Sequence, residues 1–340
     1  MSSMPIRKPQ LVCPAGSLRA LQAAVDAGAD AVYLGLKDAT NARNFAGLNF
    51  DVEQIREGIG YARHRGAQVY MALNTYAQAG EERRWYAAVD VAVGLGVDAI
   101  ILADPCLMAY CRRQYPEARL HLSVQASASN YEAIEFYRER YGVRRAVLPR
   151  VLTLSQVGHV LRHTQAEVEV FGFGSLCVMV EGRCALSSYV TGQSPNTVGV
   201  CSPASAVRWD KRGDDGVDAR LGGVLIDRFE SQEPRGYPTL CKGRFEAEGV
   251  TGYAIEEPTS LNTLSVLPQL MVMGVAAIKI EGRQRSAAYV RQVTTTWRQA
   301  IDRCVQDTQA YAVEPAWSRA LTEVAEGRQH TLGALERPWQ

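Results

Sequence analysis

The chain has 340 residues, 47% of them apolar, with 37 Lys plus Arg against 36 Asp plus Glu and a net charge of +1. That much apolar sequence can bury the core of one large α/β domain or two smaller ones. No basic run exceeds two residues, so no strong field for phosphate backbones is visible and a nucleic-acid partner is disfavoured. The opening residues, MSSMPIRKPQ, lack the apolar segment of a signal peptide, and no stretch approaches the roughly 18–20 apolar residues of a membrane span. The expectation is a cytoplasmic protein.

One phrase recurs along the chain: an amphipathic helix, a glycine, a short apolar strand, and a polar residue where the strand stops. It reads AGADAVYLG from residue 27, LGVDAIILAD from 95, YGVRRAVLPR from 141 and MGVAAIKIEG from 273. Gly28, Gly96, Gly142 and Gly274 suit the left-handed turn that closes a helix before a strand. Ser17 is placed to cap a helix burying Leu18, Leu21 and Val25, and Asp51 with Gln54 has the spacing of a capping box. Strands are predicted at 10–13, 31–36, 68–74, 99–104, 120–126, 145–150, 167–173 and 276–281, nearly continuously apolar as strands covered on both faces are. Eight such units favour a (β/α)8-type barrel; an open doubly wound sheet is the alternative, although no G-x-G-x-x-G follows the first strand.

In a barrel the working face lies at the C-terminal strand ends. Those ends carry Asn74, Asp104, Gln125, Arg150, Glu169, Glu281 and Arg283. From them Arg150, Arg283, Glu169, Gln125 and Asn74 are taken as candidate substrate-binding residues, the two arginines being suited to carboxylates. They would serve equally as strand caps paired with one another, and no catalytic residue can be assigned. The phrase divides the chain into 1–174 (seven barrel strands), 175–250 (a cysteine-rich insertion) and 251–340 (the last strand and C-terminal helices). Within the insertion, 208–223 reads as a solvent loop.

The insertion holds Cys177, Cys184 and Cys201, with Cys241 following. Six, sixteen and thirty-nine residues separate them, too far apart for the tight knuckles of a zinc ribbon. In reducing cytosol a disulfide framework is disfavoured. Wide gaps suit a larger cofactor reached from several loops, and four thiolates suit a [4Fe–4S] cluster. All-thiolate sets also serve zinc, so spacing leaves zinc and a metal-free set open. Gly174, Gly182, Gly192 and Gly199 would let backbone N–H groups approach the sulfurs. Cys13, Cys106, Cys111 and Cys304 read as small buried hydrophobes.

Residues 169–187, EVFGFGSLCVMVEGRCALS, resemble the signature of the collagenase-like peptidase family, with Glu169, Phe171, Gly174, Ser175, Leu176, Cys177, Gly182, Cys184, Leu186 and Ser187 in place. The likeness runs on through CPAG, GADAVYLGLKDATNARNFAGLNF, LSVQASASN, VLPRVL, SYVTGQSPNTVGVCSPA, GYPTLCKGR, EEPTSLNTL and KIEGRQRS, toward the UbiU-type branch that serves ubiquinone biosynthesis. That resemblance implies a [4Fe–4S] cluster on Cys177, Cys184, Cys201 and Cys241 in an insertion between barrel strands seven and eight. It also implies a heterodimer with a UbiV-like sister protein and oxygen-independent hydroxylation of ubiquinone precursors, with prephenate as oxygen donor. Longer family members acting on RNA carry a further C-terminal region not found in these residues. Hydroxylation of tRNA or rRNA by the same chemistry, or a non-catalytic scaffold with a structural cluster, are the alternatives. The chain has no H-E-x-x-H and no G-x-S-x-G to support a peptidase.

Overall fold

Each helix–glycine–strand phrase becomes one βα unit in the computed structural model, which describes residues 7–45, 47–177, 184–195, 200–213, 216–233 and 235–336. Seven strands lie side by side and parallel: β1 (Gln10–Pro14), β2 (Ala31–Leu34), β3 (Gln68–Leu73), β4 (Ala99–Leu102), β5 (Leu120–Leu122), β6 (Val143–Val147) and β7 (Glu167–Ser175). Between them run α1 (Leu18–Asp26), α2 (Val52–His64), α3 (Glu82–Leu95), α4 (Pro105–Gln114), α5 (Tyr131–Tyr141) and α6 (Leu154–His163). The caps form as expected. Ser17 accepts from the Ala20 N–H at 3.2 Å, and Asp51 and Gln54 exchange bonds of 2.9 and 3.2 Å. Gly28, Gly96, Gly142 and Gly274 all take positive φ. The strands stop earlier than the apolar runs suggest, so Gln125 lies in a 3₁₀ turn and Arg150 in a loop beyond β6.

After β7 the chain leaves the barrel. A short helix α7 (Ala185–Thr191) leads into an antiparallel sheet of β8 (Val207–Arg212), β9 (Gly216–Leu221) and β10 (Val224–Phe229), followed by a hairpin of β11 (Arg244–Ala247) and β12 (Val250–Tyr253). The expected solvent loop at 208–223 is therefore largely strand. Its charges pair across the sheet, Arg212 with Asp218 at 3.1 Å and Arg220 with Asp210 at 3.0 Å, while Ala219, Leu221 and Ile226 are buried. Charges that read as loop signals along the sequence are cross-strand partners in space.

The chain returns through β13 (Ser260–Asn262), antiparallel to the end of β7, and a short helix α8 (Leu267–Val272). Strand β14 (Ala277–Ile280) then inserts between β7 and β1, pairing Ala277 with both Glu169 and Gln10 and closing an eight-stranded parallel barrel. Helices α9 (Ala287–Gln306) and α10 (Pro315–Val324) follow, and β15 (His330–Thr331) adds to β13. No helix among the described residues is long and apolar enough to cross a membrane.

The main core fills the layer between strands and helices. Inside the barrel the apolar residues are few and mostly small: Ala31, Ala72, Ala99 and Ala277, with Val12, Ile101 and the rings of Tyr33 and Tyr70. Small side chains leave room there for a charged network. Lys279 and Arg145 both reach Glu169, at 2.7 and 3.2 Å, and Arg145 also meets Glu167 at 2.7 Å.

Candidate functional site at the barrel mouth

The C-terminal strand ends form a cavity of about 60 Å³. Its wall includes Asn74, Gln125, Arg150 and Arg283, four of the five expected substrate-binding residues. Glu169 is not among them: it lies deeper, buried between Lys279 and Arg145. Burial pushes its carboxyl up, but the two cations prevail and hold it below the usual carboxylate range. The alternative in which the rim arginines pair with Glu169 is not seen among the described residues, where Glu169 is paired with Lys279 and Arg145.

Each wall residue has a local reason for its place. Asn74 accepts from the Ala42 N–H at 3.1 Å, which ties the long β2–α2 connection to the rim. Gln125 is buried with its Oε1 lacking a partner among the described residues. Arg150 stacks over the Phe171 ring at 4.2 Å and donates to the Ser175 carbonyl at 3.0 Å. Arg283 is held by Asn41 Oδ1 at 2.7 Å, and its backbone presses on Gly16, where a Cβ would sit 1.8 Å from the Arg283 carbonyl oxygen. Burial lowers the Arg283 guanidinium to about 10, Arg43 adding to the effect, with Tyr33 and Glu281 opposing. Among the described residues it has no salt-bridging carboxylate. A buried guanidinium of this kind is a standing demand for an anion.

Sequence reading missed Arg43, Asn41, Tyr33 and Lys279. The available signal was the connection from residue 35 to 51, long for a βα loop and placed where barrel sites are built. Asp104, expected at the mouth, caps α4 instead, accepting from Cys106 and Ala77 N–H groups at 2.8 Å each.

Beside the mouth lies a second cavity of about 280 Å³, walled in part by Cys177, Cys201 and Cys241. Arg43, Arg150 and Glu281 line both cavities. Cys184 caps α7, its Sγ accepting from the Ser187 N–H at 3.3 Å, and the Ser187 hydroxyl donates to the Cys201 carbonyl. These bonds fix two of the cysteine-bearing segments against each other. Burial pushes the Cys241 thiol up to about 12, Lys242 opposing and the thiols of Cys177, Cys201 and Cys184 adding. Burial likewise raises Cys201, with Cys177 and Cys184 again among the causes. Cys177, Cys201 and Cys241 share the wall of one cavity, and Cys184 is tied to Cys201 through Ser187. Among the described residues no three Cys, His, Asp or Glu side chains close on a point where one ion would sit. Gly182 and Gly199 lie outside the described residues.

All eight cysteines are free. Cys13, Cys111 and Cys304 are buried as expected, whereas Cys106 is exposed, with its Sγ 3.0 Å from the Tyr86 hydroxyl.

The family model described as peptidase family U32 matches residues 16–337. The chain is 30% identical to tRNA hydroxylation protein P1 of Bacillus subtilis over 94% of its own length and 69% of that protein's. It is 31% identical to tRNA hydroxylation protein P of Escherichia coli, covering 97% of itself and 75% of the relative. With the 23S rRNA 5-hydroxycytidine C2501 synthase of Escherichia coli it shares 27% identity, over 88% of itself and 40% of that protein. The chain belongs to peptidase family U32, among relatives named for hydroxylation.

Proposed function

We propose that this chain is the iron–sulfur component of a hydroxylase that works without dioxygen, acting with a UbiV-like sister protein on a ubiquinone precursor and taking oxygen from prephenate. The observation that carries this reading is the shared wall. A cavity bordered by thiols and a cavity bordered by the buried Arg283 guanidinium, which has no salt-bridging carboxylate among the described residues, meet at Arg43, Arg150 and Glu281. An all-cysteine donor set on widely spaced segments, three of them on the wall of one cavity, supports a polynuclear cluster over a zinc knuckle. Cys177, Cys184, Cys201 and Cys241 would hold the cluster, which supplies electron-transfer chemistry when bound.

The remaining work falls to this chain's side chains. Arg283 and Arg43 take a carboxylate of the oxygen donor, and Arg150, held flat on Phe171, orients a second charged group at the border of the two cavities. Val147, Ile101 and Phe171 give the mouth an apolar wall against which a ring can lie. Buried Gln125 Oε1 offers an acceptor to a substrate hydroxyl.

Protein purified without air should be brown and contain iron and sulfide in the amounts of one four-iron cluster per chain. With the sister protein it should hydroxylate a ubiquinone precursor only when prephenate is supplied. A colourless, zinc-loaded chain that retains full activity would sink the proposal. The tRNA hydroxylation relatives, alike over nearly the whole chain, favour RNA as a second substrate class. Nucleoside analysis of RNA from cells lacking the chain separates the two, because only the RNA reading requires a hydroxylated nucleoside to disappear.

A further inference from the structure

Lys279 is a buried amine on the wall of the mouth cavity whose presence the binding of carboxylates does not explain. It rises from β14, inside the barrel, with Nζ 2.7 Å from Glu169 Oε1 and 3.9 Å from the centre of the Tyr33 ring. Arg283 lies over the same ring, its guanidinium carbon 5.6 Å from the centre. The Tyr33 hydroxyl is tied to the Ile280 carbonyl at 2.9 Å, so the ring is fixed, and the amine and the guanidinium placed by it both line the mouth cavity. Burial lowers the Lys279 ammonium below its usual range, Glu169 opposing while Arg283 and Arg145 add to the effect. A desolvated lysine beside other cations is the usual setting of an imine-forming amine.

The geometry points to Lys279 as an imine-forming residue for a 2-oxo acid whose carboxylate is held by Arg283. A 2-oxo acid presents a carboxylate and a carbonyl on adjacent carbons, which matches a guanidinium and an amine placed over one ring. The step balances without a further reactant. Glu169 accepts a proton from the Lys279 ammonium, and the freed nitrogen lone pair adds to the carbonyl carbon. Glu169 returns that proton to the carbonyl oxygen, giving a carbinolamine whose nitrogen keeps two hydrogens. A second proton then passes from that nitrogen through Glu169 to the hydroxyl, the C–O bond breaks as water leaves, and a protonated imine remains opposite the Glu169 carboxylate. Its positive charge replaces that of the ammonium opposite Glu169, so the buried network keeps its balance. This deepens the proposed function by assigning the carbonyl of the oxygen donor to Lys279, and it rests on that reading only for the donor's identity.

The test uses the full chain, pyruvate as probe and sodium borohydride, which reduces an imine to a stable amine. One reduced adduct per chain is expected, mapping to the peptide that contains Lys279. Lys279→Arg, which keeps the pairing with Glu169, should lose it, and lactate should compete without forming one. Arg283→Gln should weaken labelling at low pyruvate and less so at saturation. Absence of an adduct in the unaltered chain, or an adduct on another lysine that survives Lys279→Arg, overturns the inference. If Lys279→Arg fails to fold, the peptide map of the unaltered chain decides alone. An iron-loaded, active protein without the adduct refutes this inference and spares the hydroxylase reading; an iron-free protein that forms it does the reverse.

Discussion

Lys242 Nζ lies 2.6 Å from the Glu326 carboxylate, joining the turn that carries Cys241 to the segment after α10. The lysine side chain is 6% exposed and the glutamate 25%, so the pair is shielded on one side and open on the other. Glu326→Gln leaves a largely buried ammonium with a weaker partner, a loss of about 1–3 kcal/mol. The expected outcome is a lower melting temperature together with weaker iron retention on gel filtration. Retention unchanged at a lowered melting temperature would show that the Cys241 turn does not depend on this tether.

The cysteines divide into two sets with opposite expectations. Cys184→Ala removes a thiol and the cap of α7 together, and iron and sulfide should fall to background. Cys304→Ala and Cys106→Ala, far from the thiol cavity in sequence, should leave the iron content unchanged. Metal–thiolate bonds exist only in the folded state, so removing iron should loosen residues 200–245 in hydrogen exchange more than strands β2 and β4. Equal loosening of both regions would contradict a locally anchored insertion.

Arg283 has no carboxylate partner among the described residues, and this sets stability against binding. Arg283→Gln can keep a donor for Asn41 while removing a buried charge, so melting of the ligand-free chain should hold steady or rise. Affinity for a small dicarboxylate should fall by at least about tenfold, or ~1.4 kcal/mol. Titration calorimetry with the unaltered and altered chains measures both sides. A large drop in melting temperature with affinity intact would make Arg283 a structural residue only.

His121 sits inside the barrel on β5, its Nε2 accepting from Arg119 Nε at 3.1 Å and its ring edge-on to Tyr70. Burial, with Arg145, Arg119 and Lys279 adding, holds it well below its ordinary value, so the folded chain keeps it neutral. The unfolded chain binds the extra proton once pH falls below about 6.5, and stability is lost from there downward. At full effect the slope is about 1.4 kcal/mol per pH unit. Denaturant unfolding between pH 7 and 5 should show this loss in the unaltered chain and a shallower one in His121→Phe. Identical slopes would remove His121 as the cause.

The recurring helix–glycine–strand phrase determined the eight barrel strands, because parallel strands covered on both faces must be apolar and each helix must turn sharply to re-enter the sheet. Ser17, Asp51 and Gln54 were legible for the same local reason: a cap bonds within three residues of itself. The four cysteines stood out by type and spacing, yet sequence spacing could not say that they share a neighbourhood. That followed from the end of β7, Cys201 and the Cys241 turn meeting beside the mouth, with α7 tied to Cys201 through Ser187. Tertiary structure alone decided the fate of the charges. Arg212 and Asp218 look like solvent-loop residues until the sheet sets them opposite each other. Glu169 and Arg283 both look like rim residues until closure by β14 gives Lys279 to one and, among the described residues, no salt-bridging carboxylate to the other. A charge's role depends on which partners reach it in a low-dielectric space, and that is a property of the closed barrel.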